Sequence, residues 1–314
     1  MGRHNKRTNE MKLGTVNTLF RLKSSDIPQT LDRYCCEMTA NEKTTNTDHE
    51  GQVVVITGAA SGLGARFAEL FAQRGAHIVI GDIAEDAAHK LATSLGGTSL
   101  KCDVTKSHEV DALADLAVSH FGKIDVFINN AGIAPAPNEE RFATAVANQM
   151  LRLENNVAAT TPLNVITDMS DEDWDYMLKV HLYGTFYGSR AAARHMTPQR
   201  SGSIINISSV LGLRPTAMAP HYSTAKAAII ALTKSQSQEL APLGVRVNAV
   251  CPGYIDTPLL APMNDLMKVA IVSQIGIGRL GTDDEIAEMV SFIASPKASY
   301  CTGEVFSVTG GYSG

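Results

Sequence analysis

The chain is 314 residues long, 44% hydrophobic, and carries a formal charge of −5 at pH 7. That charge, without any clustered basic stripe, excludes nucleic-acid binding, and no apolar run approaches the length of a membrane span. Its five cysteines, Cys35, Cys36, Cys102, Cys251 and Cys301, show neither Cys-x-x-Cys spacing nor an even disulfide framework. This suits a reducing, cytoplasmic setting, and no metal is expected.

Residues 1–50 are polar, rich in Asn and Thr and without sustained periodicity. They are expected to form a disordered or loosely attached arm. The first 24 residues carry six Lys or Arg and only Glu10 as an acid, a bias shared with organelle transit peptides. A translation start at Met38 is a further reading, and Lys6 stands where N-myristoylation requires Ser or Thr. Strand and helix signals then alternate without a break from 52 to 308, so residues 51–314 are expected to form one domain.

Residues 52–58 are an apolar, β-branched run ending in Gly58, which reads as a buried strand. The segment Gly58-Ala-Ala-Ser61-Gly62-Leu63-Gly64 leads into residues 65–74, whose apolar side chains recur at helical spacing. Strand, glycine loop and helix in this order suit a pyrophosphate, because glycines allow close backbone approach and the helix start offers free N–H groups. A second strand over 77–82 ends in Asp82, about 20 residues past the loop, where a dinucleotide fold places a carboxylate on the adenosine ribose. Asp82 accepts from both ribose hydroxyls in that arrangement and repels a 2′-phosphate. Neither Ser61 nor Ile83 supplies a neutralising base, so NAD is expected over NADP.

The stretch from Gly132 to Trp174 exceeds the ~12–15 residues of ordinary loops. Within it Phe142, Val146, Met150, Leu153 and Val157 form an apolar stripe that predicts a helix from Glu139 to about Val157. Ser170, followed by Asp171, Glu172 and Asp173, reads as the start of the next helix. This insertion is expected at the carboxyl edge of the sheet, as a lid or pocket wall, or else as an oligomer contact or an inert surface hairpin. Further on, Tyr222 and Lys226 stand four apart and share a helix face. A cation beside a phenol favours its ionised form, which makes Tyr222 a proton donor and acceptor. Met263 and Met267 follow, either lining an apolar pocket or packing in the core.

Taken together these motifs resemble the short-chain dehydrogenase/reductase family from about residue 52 to the C-terminus. Thr57-Gly58-x-x-x-Gly62-x-Gly64 is similar to its cofactor loop, Asp103-Val104 to its adenine-contacting pair, and Asn129-Asn130-Ala131-Gly132 to its Asn-Asn-Ala-Gly motif. The segment 203–209 resembles the strand delivering the catalytic serine, here Ser209, and Tyr222 and Lys226 match the catalytic pair. Pro252-Gly253, with Ile255 and Thr257, resembles the segment that closes over the nicotinamide. The resemblance implies one doubly wound, Rossmann-type α/β domain with a mainly parallel seven-stranded sheet, a homodimer or homotetramer, and hydride transfer. Ser209 then holds the substrate oxygen, Tyr222 gives or takes its proton, and Lys226 lowers the phenol's pKa and binds the nicotinamide ribose, with Ser208 a structural neighbour or a substitute for Ser209.

One departure stands out: His181 occupies the position of the family's helix asparagine, which helps hold a proton-relaying water. An imidazole there either shuttles protons itself or fills space. The leading expectation is an NAD(H)-dependent oxidoreductase acting on a secondary alcohol or ketone. The runner-up is an NADPH-dependent 3-oxoacyl-thioester reductase, on the likeness of Gly278-Arg-Leu-Gly281 to that branch. A dinucleotide-binding sensor with little turnover is the reading from another class.

Overall fold

The computed structural model describes residues 48–312, so residues 1–47 of the expected N-terminal arm, the transit-like segment and a start at Met38 fall outside the described residues. Strand β1 (Val53–Thr57) is buried along its whole length, as expected of a β-branched run covered on both faces. It is followed by β2 (His77–Asp82), β3 (Thr98–Lys101), β4 (Val126–Asn129), β5 (Gly202–Ile207), β6 (Val245–Pro252) and β7 (Val305–Val308). Among the described residues these make one seven-stranded sheet in the order β3-β2-β1-β4-β5-β6-β7. Every pairing is parallel. The strand order reverses between β1 and β4, and a doubly wound sheet opens its ligand crevice at that switch.

Helices cover both faces. On one side α1 (Gly62–Gln73) inserts Phe67 and Phe71 against β1 and β2, and a helix near the C-terminus, Asp283–Ala294, brings Ile286, Val290 and Ile293 onto β5 and β6. On the other side, after α2 (Glu85–Ser94), come α3 (Ser107–Phe121) and a helix over Gly184–Gln199, which bring Val110, Leu113, Ala192 and Met196 onto Phe127 and Ile204. Each such fully buried large side chain contributes about 1.5–3 kcal/mol. The chain ahead of β1 is anchored by His49, whose ring is buried against Phe71 at 4.4 Å. Its Nδ1 meets Gln52 Oε1 at 2.6 Å and its Nε2 meets Ser291 Oγ at 2.7 Å.

The long stretch after β4 contains α4 (Glu139–Leu153), ending four residues before the expected boundary, with a separate short turn at Val157–Ala159. Its return is clipped to it by Asn148, whose Nδ2 donates to Thr161 O at 2.7 Å while its Oδ1 accepts from Thr161 N at 2.8 Å. Arg141 pairs with Asp168 at 2.8 Å. Of the predicted stripe, Phe142, Val146, Met150 and Leu153 are on the helix and Val157 is in the separate turn; Phe142 is half-buried, whereas Leu153 is 70% and Val157 62% exposed. Next, α5 (Asp171–Leu178) is capped by Ser170, whose hydroxyl accepts from Asp173 N at 3.0 Å. A π-helical turn, Lys179–Tyr183, joins α5 to α6 (Gly184–Gln199) and carries His181 at its centre. The remaining helices are α7 (Val210–Leu213), α8 (Pro220–Leu240), α9 (Asp265–Val272) and α10 (Asp283–Ala294).

Candidate active site

At the switch point the backbone leaves β1 through Gly58, in left-handed geometry at φ 66°. A Cβ there would lie 2.6 Å from Ala131 Cα, so only glycine lets the loop press on the chain leaving β4. Asn130 holds the two together: its Nδ2 donates to Gly58 O at 2.8 Å and Thr57 O at 3.1 Å. In return Thr57 Oγ1 accepts from Asn130 N and Ala131 N. Asn130 and Ala131 therefore shape the glycine loop. Asn129 works one layer deeper, donating to Ser189 Oγ at 3.1 Å and to Asn206 Oδ1 at 2.8 Å, while Asn206 donates to Thr233 Oγ1 at 2.9 Å.

The first turn of α1, at Ser61, Gly62, Leu63 and Gly64, has no side-chain cap and no acidic residue. Its free N–H groups and positive dipole end suit an anion such as a pyrophosphate. Asp82 closes the far edge of the crevice: its Oδ2 accepts from Ala60 N and its Oδ1 from Ala84 N, each at 2.8 Å. One bond per oxygen leaves acceptor capacity for ribose hydroxyls. Asp103 and Val104 follow β3; Asp103 Oδ1 accepts from Thr105 N and Oγ1, which fixes the turn, and Val104 is buried against Gly184. On the opposite rim Pro252 ends β6, Gly253 packs on Thr309, Ile255 bridges to Gly281, and Thr257 precedes Pro258, which lies over Gly62. The residues present thus fit a nicotinamide dinucleotide along the whole crevice.

The reactive groups converge where β5 ends. The strand stops at Ile207, two residues short of the predicted Ser209, and Ser209 is the N-cap of α7, accepting from Leu211 N at 3.1 Å. Ser208 donates its hydroxyl to Lys226 O at 2.8 Å, which ties the end of β5 to α8. On α8, Lys226 is buried; its Nζ donates to Ile207 O at 2.9 Å and sits 5.6 Å from the centre of the Tyr222 ring.

The expectation that Lys226 depresses the Tyr222 pKa does not hold in this structure. Burial pushes the phenol above its ordinary value, against a hydrogen bond with Ser209 that lowers it. The physical reason is the ammonium's own environment: burial brings Lys226 down to about 7, so near neutrality its charge is only partly present. What the arrangement offers is a phenol hydrogen-bonded to Ser209 and an amine that exchanges protons near neutral pH.

His181 is buried edge-on to Tyr222, with ring centres 5.2 Å apart. Its Nε2 lies 2.9 Å from Ile133 O and 3.2 Å from Ile133 N. Burial first, then Lys226, holds its pKa well below the usual histidine range. Gly132 makes room for this ring, since a Cβ there would lie 2.6 Å from His181 Cε1. Sequence reasoning missed His221, which is buried beside Tyr222 at the start of α8; its one signal was adjacency to the reactive tyrosine. In the segment after Thr257, Met267 is buried and Met263 half-buried, whereas Leu259, Leu266 and Val269 are exposed around α9.

Residues 52–155 match the family model described as short chain dehydrogenase, and residues 152–313 the one described as Enoyl-(Acyl carrier protein) reductase. Similar curated proteins include the 3-oxoacyl-(acyl-carrier-protein) reductase of Thermotoga maritima, 35% identical over 267 residues, 83% of this chain and 98% of that protein. The cis-4-hydroxycyclohexanecarboxylate dehydrogenase of Sinomonas cyclohexanicum is 37% identical over 265 residues, covering 83% and 96%. Among solved structures, a 3-ketoacyl-(acyl-carrier-protein) reductase from Brucella melitensis complexed with NADH superposes with a TM-score of 0.72 at 30% identity, covering 84% of this chain and 98% of that one.

Proposed function

This chain belongs to the short-chain dehydrogenase/reductase family of oxidoreductases, and we propose that it reduces the 3-oxo group of an acyl thioester to a secondary alcohol using NADH. The sequence alone ranks a general alcohol dehydrogenase first; the named relatives favour its runner-up, the thioester reductase. The observation that carries the redox reading is the joining of Ser209, Tyr222 and Lys226 at the mouth of the β1/β4 crevice. Asp82 supports NADH over NADPH, because a fixed carboxylate at the ribose position faces a 2′-phosphate with like charge. Exposed apolar side chains around α9 supply cover for an acyl chain. A homodimer or homotetramer is part of the same proposal, to be checked by sedimentation. Among the described residues, no helix is long and apolar enough to cross a membrane.

The bound nicotinamide supplies the hydride. As negative charge builds on the substrate oxygen, Ser209 Oγ–H and Tyr222 O–H donate to it, and donors fixed before the reaction stabilise that charge in the transition state. Tyr222 then releases its proton to that oxygen. Lys226, with its pKa near neutrality, restores the phenol.

The test is initial-rate reduction of acetoacetyl-CoA with NADH and with NADPH, using Tyr222→Phe as the control. Turnover with NADH that disappears in the control supports the proposal; a preference for NADPH overturns its cofactor part. A second reading, oxidation of a ring-borne secondary alcohol with NAD⁺, draws on the Sinomonas relative. Turnover on cyclic alcohols with none on acetoacetyl-CoA would favour it.

A further inference from the structure

The helix that Ser209 caps is only four residues long, Val210–Leu213, and a helix of that length does not hold itself in place. Its position is therefore set by tertiary contact, which comes from two sides. On one side Gly212 lies flat on α8: a Cβ there would stand 2.8 Å from the Lys226 carbonyl carbon. On the other side Val210, 3% exposed, packs with Ile275 and Tyr312 in a small apolar cluster that Leu211 and Tyr254 join. Just past the helix, Arg214 donates from its side chain to Tyr312 O and from its backbone to Val210 O, the latter at 2.8 Å.

Tyr312 reaches this cluster because the chain turns back after β7 through Gly310 and Gly311, left-handed at φ 61° and 77°, a path that glycine takes without strain. The turn is pinned to the stretch that follows α9, where Ile277 N donates to Gly310 O at 3.0 Å. The Tyr312 ring meets that of Tyr254 edge-on, with centres 5.2 Å apart. Tyr254 in turn follows Gly253, whose N–H donates to Val308 O at 2.9 Å. One buried side chain thus ties α7 to the end of the α9 segment and to the chain leaving β6. This cluster is separate from the two that cover the faces of the sheet, so it serves the rim of the crevice and not the main core.

We propose that Tyr312 is a positioning residue for Ser209. This rests on the reading above, in which Ser209 donates to the substrate oxygen. Ser209 Oγ accepts from Leu211 N at 3.1 Å, so the direction of its O–H follows the first turn of α7. With the Tyr312 ring in place Val210 is held, and that turn is fixed before substrate arrives. Without the ring, α7 keeps its contact with Lys226 and loses the opposite one, and the hydroxyl is no longer held where charge develops. Donors fixed in advance are the ones that stabilise such charge. The ring acts by packing, so phenylalanine replaces it and alanine does not.

The test compares Tyr312→Ala and Tyr312→Phe with wild type, each alone and in a Ser209→Ala background. In Tyr312→Ala, kcat is expected to fall on the order of 10²-fold, the cost of a reacting group displaced by about 1 Å, while NADH affinity holds; Tyr312→Phe recovers most of the rate. Once Ser209 is alanine, the same Tyr312→Ala change is expected to cost no more than about twofold, because no hydroxyl is left to position. A wild-type kcat in Tyr312→Ala, or a loss of equal size in both backgrounds, overturns the proposal. A readout free of turnover is amide exchange on the NADH-bound protein at Leu211, Gly212 and Arg214, whose N–H groups bond within this helix and its cap. Exchange there is expected to quicken in Tyr312→Ala while the α8 amides around Lys226 keep their rates; no change, or an equal change in both, refutes the proposal. Where Tyr312→Ala does not fold, Arg214→Met, at an exposed position, frees the same contact to Tyr312 O and is read by the same amides. A wild type that reduces no 3-oxoacyl thioester refutes the proposed reaction, and the exchange result still decides whether Tyr312 holds α7.

Discussion

Replacing Gly132 by alanine tests whether the His181 ring is as firmly held as its contacts imply. Gly132 does not have a positive φ, so alanine fits the backbone and by itself gains about 0.4–1 kcal/mol from a less flexible unfolded chain. The added Cβ, however, lies 2.6 Å from His181 Cε1 and 3.1 Å from Nδ1. Ordinary contact begins at 3.4 Å, so the ring must retreat by about 0.8 Å. It has little room, because Nε2 is tied to Ile133, the residue next to the substitution. Overpacking of this kind costs about 1–3 kcal/mol, which leaves a net loss of about 1.3 kcal/mol, taking the middle of each range, after the backbone gain. In a chain of this size that lowers Tm by about 2–6 °C. The decisive assay is a double-mutant cycle in urea with His181→Ala: removing the ring removes the clash, so Gly132→Ala becomes neutral or stabilising in that background. The expected coupling is about 0.5–3 kcal/mol. A coupling of zero, or a Gly132→Ala protein as stable as wild type, refutes the claim that this ring is fixed.

Three further outcomes follow from the same contacts. In Asp82→Ser, loss of the carboxylate facing the ribose position moves the NADH to NADPH preference in kcat/KM by about 10²-fold toward NADPH, matching the several kcal/mol that facing like charges cost; an unchanged ratio removes Asp82 from cofactor choice. Burial lowers the pKa values of His49 and His181 below the ordinary 6.5, so above that pH both states are neutral and stability is complete. As pH falls below 6.5 the unfolded chain binds protons that the folded one refuses, and stability drops by up to about 1.4 kcal/mol per pH unit for each histidine. Urea midpoints between pH 7 and 5 should flatten in His49→Gln by one histidine's share. In Asn148→Ala, loss of both bonds to Thr161 speeds amide exchange across residues 139–161 without moving the global urea midpoint, because this hairpin is a local unit of low stability.

The sheet was legible because its strands are covered on both faces, and such strands leave continuous β-branched runs: residues 52–58 and 77–82 lie within a residue of β1 and β2. The crevice was legible for a related reason. Gly58 meets a steric demand that no other residue meets at 2.6 Å from Ala131, and such demands are written in single letters. Charge was less legible than position. Four-residue spacing correctly set Lys226 near Tyr222, but it does not say that the ammonium is buried, tied to Ile207 O and brought down to about 7. Desolvation depends on everything packed around a group, most of it distant in sequence. The same limit hid His49, which finds Ser291 242 positions away, and His221, whose burial exists only once α5 and α8 are packed. It also explains the exposed stripe of α4: helical periodicity shows that one face is apolar, while what that face meets is set by tertiary contacts, and here the hairpin closes on itself through Asn148 and Arg141. Pattern thus identifies which atoms are brought together, and burial decides in which protonation state they meet.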